Sequence, residues 1–345
     1  MVVTILDREG MDRLTPARLD AILDAARTKR VLVVGDAMLD VYLRGVASRI
    51  SPEAPVPVVR VTDERWALGG AANVAANVVA LGALCALVGV TGQDEAGARL
   101  REAVVAAGIA ADGLLESGLR QTTVKTRIVT KHHQIARFDR EMDEDLDERD
   151  ARSLAERIGA LASEADAIVL EDYNKGVLTK AVIEAALAAG RRAAIPVVVD
   201  PKARFFFDYV GATVFKPNQA ELEAALREPV AANDAGWLER TRERLGSDHL
   251  LVTLGDEGMA LMTSEGEYVR VPSAARAVFD VSGAGDTVTA AVVVALAAGA
   301  TPAEAAILAN HAAGIEVGKL GVATVSPAEL REVVQANAKR SSLQS

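Results

Sequence analysis

Apolar positions along this chain fall into two alternating patterns. Short unbroken runs such as Val31-Leu32-Val33-Val34 are too brief for a helix and lack a polar residue at every second place. That is how a strand covered on both faces reads. Further runs of this kind lie at Leu84–Val88, Ala167–Leu170, Val197–Val199, Val214–Phe215 and His249–Thr253. Between them the apolar spacing switches to that of a helix. The first helix has Thr15 as a cap, Pro16 in its first turn and Leu19, Ile22, Leu23 and Ala26 as one stripe. Others are predicted near 94–107, 148–163, 179–189, 218–226, 235–245, 283–298 and 303–317. Alternation of strand and helix predicts an α/β fold, a doubly wound, mostly parallel sheet with helices on both faces. With no repeat and no low-complexity linker, residues 1–345 are expected to form a single domain.

The pattern breaks at residues 41–66. Val41–Val46 and Val56–Val61 read as strands, yet Pro52, Pro55 and Pro57 sit between and within them, which confines such strands to edges. A second strand-like pair, Thr122–Thr130 and Gln134–Phe138, completes a small sheet predicted to stand off the main layer as a lid or a subunit contact (about 41–66 and 120–138). His132 and His133 fall in the turn of that pair without metal-ligand spacing and read as ordinary loop residues. The acidic run Asp139–Asp150 reads as a solvated turn leading into a helix.

Composition narrows the function. Lys plus Arg total 38 against 48 Asp plus Glu, a net charge of −10 with no dense basic tract. A nucleic-acid partner is therefore not expected, and any phosphorylated ligand needs a local site. One cysteine, Cys85, excludes an internal disulfide. The longest apolar run, Val78–Val90, is interrupted by Gly82 and Gly89 and falls short of the ~20 residues that span a bilayer. No secretory signal is seen at the start, so a soluble, cytoplasmic protein with no membrane partner is the expectation.

Polar residues collect where the predicted strands end. Gly35-Asp36-Ala37-Met38-Leu39-Asp40 follows the first strand. In open α/β sheets ligands bind at carboxyl ends of strands. Asp36 and Asp40 suit sugar hydroxyls there, or an Asx turn. Gly69 and Gly70 before Asn73 allow close approach of the backbone to a ligand or to a neighbouring element, and Asn73 offers a two-way amide. Later strands end in Asp172-Tyr173-Asn174-Lys175, Asp200-Pro201-Lys202, Lys216-Pro217-Asn218 with Glu221, and Thr253-Leu254-Gly255-Asp256-Glu257-Gly258. Lys175 and Lys202 can serve as point charges for phosphate or as plain surface lysines. Asn218 and Glu221 have the spacing of a capping box, which is compatible with orienting Mg²⁺-bound water near a nucleotide.

The most telling stretch is Asp280-Val281-Ser282-Gly283-Ala284-Gly285-Asp286-Thr287, running into the apolar segment 290–300. Its glycines let the backbone pass close to a ligand, and the N–H groups at the helix start suit phosphate oxygens. Beside such a site a carboxylate is unfavourable unless chemistry requires a base, as phosphoryl transfer does. Alone, these residues fit a Gly-rich cap with Asp286 as a first-turn acid equally well. The P-loop pattern is absent, since Gly314–Leu320 has the wrong spacing, and Val288 replaces the third glycine of a dinucleotide fingerprint.

Taken together, Gly69-Gly70-Ala71-Ala72-Asn73, Lys216-Pro217-Asn218-x-x-Glu221, Thr253-Leu254-Gly255-x-x-Gly258 and Asp280–Asp286 resemble, in order, the motifs of the ribokinase or PfkB family of carbohydrate kinases, from about Val31 to Ala323. The resemblance implies a ribokinase-like α/β domain with a β lid that often forms a homodimer interface. It implies ATP and Mg²⁺, with a monovalent cation as an optional third. It implies Asp286 as catalytic base and the Gly283, Ala284 and Gly285 amides as anion hole. Asn218, Glu221, Thr253, Gly255, Gly258 and Asn310 would line ATP. Asp36, Asp40, Gly69, Gly70 and Asn73 would hold the sugar, with Arg137, Lys175 or Lys202 neutralising a phosphate on it.

Within the family the chain is similar to the D-glycero-β-D-manno-heptose 7-phosphate kinase branch. The similarity lies in Gly35–Tyr42, Arg49–Val58 and Glu171–Val177. That branch phosphorylates O1 of a heptose 7-phosphate on the way to lipopolysaccharide core. Many relatives carry a nucleotidyltransferase with a His-x-Gly-His motif after the kinase. None occurs before Ser345, so a stand-alone kinase is the expectation. Ribokinase, fructokinase and phosphofructokinase-like enzymes are the alternatives, and a silent nucleotide or sugar binder the rival class.

Overall fold

The computed structural model describes residues 2–5, 14–130, 133–275 and 278–341. His132 therefore lies outside the described residues, while His133 opens a strand rather than sitting in a loop. In chain order the strands are β1 Val2–Ile5, β2 Arg30–Gly35, β3 Ala37–Ile50, β4 Pro57–Gly70, β5 Leu84–Gly92, β6 Leu114–Ser117, β7 Thr123–Thr130 and β8 His133–Arg140. They continue with β9 Ala167–Glu171, β10 Val197–Asp200, β11 Val214–Phe215, β12 His249–Thr253, β13 Met259–Met262 and β14 Glu267–Val271. The helices are α1 Pro16–Ala26, α2 Ala71–Ala80, α3 Glu95–Ala106, α4 Glu148–Leu161, α5 Lys180–Ala193, α6 Gln219–Leu226, α7 Ala235–Leu245, α8 Ala284–Ala297, α9 Pro302–Glu316 and α10 Pro327–Ser341.

One large sheet runs β1-β14-β13-β12-β11-β10-β9-β2-β5-β6, and every pairing is parallel except the two made by β13. Both faces are covered, as the unbroken apolar runs require. Val31 and Val33 of β2 enter one core with α1, α2, α8 and α9, while Leu32 and Val34 enter the other with α4, α5 and α7. From β2 the chain winds outward through β5 and β6, then returns to β9 beside β2 and winds the other way. The strand order thus reverses between β2 and β9, where open sheets leave a crevice at their carboxyl ends. Gly35 of β2 and Glu171 of β9 are register partners at that point, and a β-carbon at Gly35 would lie 2.0 Å from the Glu171 carbonyl.

The small sheet has the order β4-β3-β7-β8. β4, which begins at Pro57, is an edge strand, as its proline demands. The lid is longer than the pattern suggested: β3 and β4 each have 14 residues and pair from Ala37↔Gly70 to Ile50↔Pro57. Asp40 accordingly sits within a strand, not in a turn after β2. Charged positions fall on both faces of these strands: Asp63, Glu64 and Arg65 follow one another in β4, opposite Arg44, Leu43 and Tyr42. On one face, register places Asp40, Tyr42, Lys125, Arg127, Arg137 and Asp139 together. Strands β1, β6, β13 and β14 and helix α10 are further elements that the apolar pattern did not flag.

Candidate active site

Helix α8 starts beside the crevice, and its sequence explains its course. Gly283 is its N-cap with φ 96°, a left-handed conformation that side chains avoid. A β-carbon there would lie 3.2 Å from Asn73 Nδ2 and 3.3 Å from Glu316 Oε1. The helix lacks a side-chain cap, so its first N–H groups stay open for a ligand. Gly285 lies in the first turn, where a β-carbon would meet only Asp200 Oδ2, at 3.9 Å. Fold alone thus does not demand glycine at 285.

Asp286, in the first turn of α8, is 4% exposed and held from two sides. Asn73 Nδ2 on α2 donates to it at 2.6 Å and the Tyr173 hydroxyl donates at 2.7 Å. Asn73 is in turn held by Asn77, whose amide donates to its carbonyl oxygens. Burial raises the Asp286 pKa to about 6; the Asn73 and Tyr173 hydrogen bonds oppose that rise, and nearby Asp200 adds to it. The result is a carboxylate ionised at neutral pH yet basic enough to accept a proton, in a fixed orientation.

Next to it, the ends of β10 and β11 carry opposite charges. Lys216 Nζ lies 2.8 Å from Asp200 Oδ2, and both are buried. Lys202 pairs with Glu221 and lies 3.9 Å from Asp200 Oδ1. Desolvation opposes charging Lys202, but Asp200 and Glu221 outweigh it and hold its ammonium charged. Asn218 and Glu221 form a full capping box on α6, each side chain accepting the other's backbone N–H at 2.8 Å. Thr253 bridges to Asn218 across the next strand end. Beyond it, Gly255 and Gly258 adopt φ 61° and 90°, and a β-carbon at Gly258 would lie 2.1 Å from the Val271 carbonyl. Asn310 on α9 is buried and donates to the Pro272 carbonyl at 2.8 Å.

Other sequence candidates are tied differently. The Asp36 carboxylate accepts the backbone N–H groups of Tyr173 (2.7 Å), Lys175 (3.0 Å) and Val177 (3.2 Å), so it organises the loop that delivers Tyr173. Gly69 and Gly70 make room for a neighbouring element: β-carbons there would lie 2.5 Å from Asp40 Oδ2 and 2.4 Å from the Asp36 carbonyl. Asp40 pairs with Arg127. Arg137 pairs with Asp139 at 2.5 Å on the exposed strand β8. Lys175 reaches away from the base to Glu141 (3.0 Å) and Asp143 (2.7 Å).

Tyr173, Asp200, Lys216, Glu171 and Lys125 were not singled out by sequence reasoning, although four of them lie in or beside the polar strand ends that drew attention. Glu171 is fully buried with neither carboxyl oxygen hydrogen-bonded, and burial together with Asp200 and Asp286 drives its pKa well up. Two ammonium groups lie over the ring of Tyr173, Lys125 Nζ from the lid and Lys202 Nζ from the main sheet, each 5.3 Å from its centre.

For a divalent cation, no group of three or more His, Cys, Asp or Glu among the described residues is arranged to hold one. The available donors are oxygen-only: Glu221 and Asp200, with the orphaned Glu171 carboxyl in register beside Asp200. Such a set fits a hard ion such as Mg²⁺ that keeps waters and takes phosphate oxygens, rather than a dedicated protein cage. Among the described residues no helix is long and apolar enough to cross a membrane.

The family model for pfkB family carbohydrate kinases matches residues 28–329. The chain belongs to the pfkB family of carbohydrate kinases. Members move a phosphoryl group from ATP to a sugar hydroxyl, which is the reaction that a buried base beside an open helix N-terminus serves. Among curated proteins the chain is 48% identical over 328 residues to the bifunctional protein HldE of Pelobacter propionicus, covering 94% of this chain and 66% of that protein. It is 47% identical over 316 residues to the HldE of Geotalea uraniireducens, covering 90% and 64%. The chain thus spans about two thirds of the length of these relatives. Among solved structures it superposes on ribokinase of Arabidopsis thaliana complexed with ribose and ATP, with TM-score 0.71, 21% identity, 89% of this chain and 99% of that one. Phosphofructokinase-2 of Escherichia coli in complex with potassium gives TM-score 0.76 and 19% identity over 90% and 99%. These likenesses establish the ribokinase-like fold.

Proposed function

We propose that the chain transfers the γ-phosphoryl group of ATP to the anomeric O1 of D-glycero-D-manno-heptose 7-phosphate, giving the 1,7-bisphosphate used in lipopolysaccharide core synthesis. The observation that carries the transfer chemistry is the buried Asp286 carboxylate, aimed by Asn73 and Tyr173 beside the uncapped N-terminus of α8. The choice of sugar is supported by the HldE relatives and by the likeness of Gly35–Tyr42, Arg49–Val58 and Glu171–Val177 to heptose 7-phosphate kinases.

In this reading Asp286 takes the proton of the attacking hydroxyl as the oxygen attacks phosphorus. The Gly283, Ala284 and Gly285 amides face the charge that grows on the transferred group. ATP is held along Asn218–Glu221 and Thr253–Gly258, with Asn310 towards the adenine end and Lys216 and Lys202 balancing phosphate charge. Mg²⁺, held near Asp200 and Glu221, would neutralise ATP phosphate oxygens when bound. A monovalent cation is an additional candidate. Asp40, Gly69, Gly70 and Asn73 line the sugar side, Asp36 steadies the loop beneath it, and Arg137, Lys175 and Lys202 are candidates for the sugar's phosphate. The whole of residues 1–345 is read as one kinase domain, acting in the cytoplasm as a homodimer joined through the lid.

A panel of sugars and sugar phosphates with ADP release as readout tests the assignment. Heptose 7-phosphate is expected to give the highest kcat/KM. A clear preference for ribose, fructose or fructose 6-phosphate would transfer the chain to another branch of the family. ATP and sugar binding without ADP release would leave a silent binder.

A further inference from the structure

Four cations carried by the lid or lying near Tyr173 are already matched. Arg127 is paired with Asp40, Arg137 with Asp139, Lys175 with Glu141 and Asp143, and Lys202 with Glu221. Lys125 is a fifth. It has no ion-pair partner among the described residues, although Asp40 and Asp139 are its register neighbours on β3 and β8. Both of those carboxylates are taken by arginines.

The ammonium of Lys125 rests on the face of Tyr173, the residue whose hydroxyl donates to the catalytic base. It is half-buried, and its pKa is pushed down first by burial and then by Arg137 and Lys175, against a smaller upward pull from Glu141 and Asp40. A half-buried cation beside other cations, with no carboxylate in ion-pair contact among the described residues, is a receptor for an anion. We propose that Lys125 seats the phosphate monoester carried by the acceptor, making it the residue by which the enzyme favours a sugar phosphate over the free sugar. The elements that carry them separate this role from that of Lys202, which lies at the same distance from that ring. Lys202 is tied through Glu221 to the head of α6, the ATP side in our reading, whereas Lys125 comes from the lid strand that also carries Arg127. The base and the phosphate seat then lie one tyrosine apart, which suits a substrate with a reacting hydroxyl at one end and a phosphate at the other.

This inference rests on the kinase reading above and on a phosphorylated acceptor. The test compares wild type, Lys125→Met and Lys125→Arg on D-glycero-D-manno-heptose 7-phosphate and on the unphosphorylated heptose, with the KM for ATP and thermal melting measured alongside. Lys125→Met is expected to lower kcat/KM for the sugar phosphate roughly 10- to 100-fold, mostly through KM, the size of a lost charge-assisted hydrogen bond. The free sugar, the KM for ATP and the melting temperature are expected to stay unchanged, and Lys125→Arg to recover part of the loss. An equal fall for both acceptors, or a rise confined to the KM for ATP, would overturn the proposal. A wild-type enzyme indifferent to the 7-phosphate would overturn the substrate reading itself, and that result is visible before any variant is made.

Discussion

Asp286 on the floor of the site and Lys125 on the lid are linked by one tyrosine, yet they are held in opposite ways. Asp286 is buried, receives two hydrogen bonds and sits in a helix whose neighbours α2 and α9 are packed around it. Lys125 is half-buried, has no ion-pair partner among the described residues and rests on the ring beneath it. A group that must receive a proton in one orientation gains from complete satisfaction before substrate arrives. A group that must bind a charged ligand gains from being left unsatisfied until it does. The same contrast appears in the apolar surface. Val31 and Leu87 in the main sheet are fully buried, while Val46, Ile50 and Val61 of the lid are 46%, 64% and 46% exposed.

The contrast breaks most sharply at Asp286. Asp286→Asn is expected to lower kcat roughly 10²- to 10⁴-fold, the range for a lost general base, while the dissociation constant for ATP stays near wild type. Near-normal turnover in that variant would remove Asp286 from the chemistry. A smaller effect is expected at Gly285, where the floor is shaped by an absence. A β-carbon there meets no protein atom closer than 3.9 Å, and alanine favours a helix over glycine by about 0.8–1 kcal/mol. Gly285→Ala is therefore expected to melt slightly higher than wild type and to lose roughly 10-fold or more in kcat, because the methyl group occupies the path of the phosphoryl group. A variant both more stable and fully active would show that no ligand approaches this glycine.

Much of the floor was legible in the sequence. Unbroken apolar runs marked the central strands because both faces of the sheet are covered, and residues 280–287 marked the start of α8 because glycine beside an acid has few uses. The partners of Asp286 were less visible. Asn73 lies 213 positions away and Tyr173 lies 113 away, so only the fold brings the three together. Asp36 drew attention as a strand-end carboxylate, but a carboxylate that accepts three backbone N–H groups looks the same in sequence as one that faces a ligand. The lid was the hardest part to bound, because charged residues on both faces, with Asp63, Glu64 and Arg65 in succession, break the apolar alternation of β3 and β4. Lys125 could not be distinguished from its neighbours, since being unpaired depends on which acids the arginines on adjacent strands have already taken.

The central claim is that burial tunes Asp286 into the base, and the pH dependence of kcat/KM in wild type and Tyr173→Phe tests it most directly. Burial raises the Asp286 pKa to about 6, so activity should fall as pH drops below that value and the carboxylate protonates. Tyr173 donates a hydrogen bond that favours the ionised form, so removing its hydroxyl should move the acidic limb to higher pH. Asp36 is also raised to about 6, but its bond from Tyr173 comes from the backbone and survives the substitution, so a limb belonging to Asp36 would stay in place. An acidic limb near 6 that rises in Tyr173→Phe is the predicted result. A limb near 3.8, or one that does not move, would contradict the account.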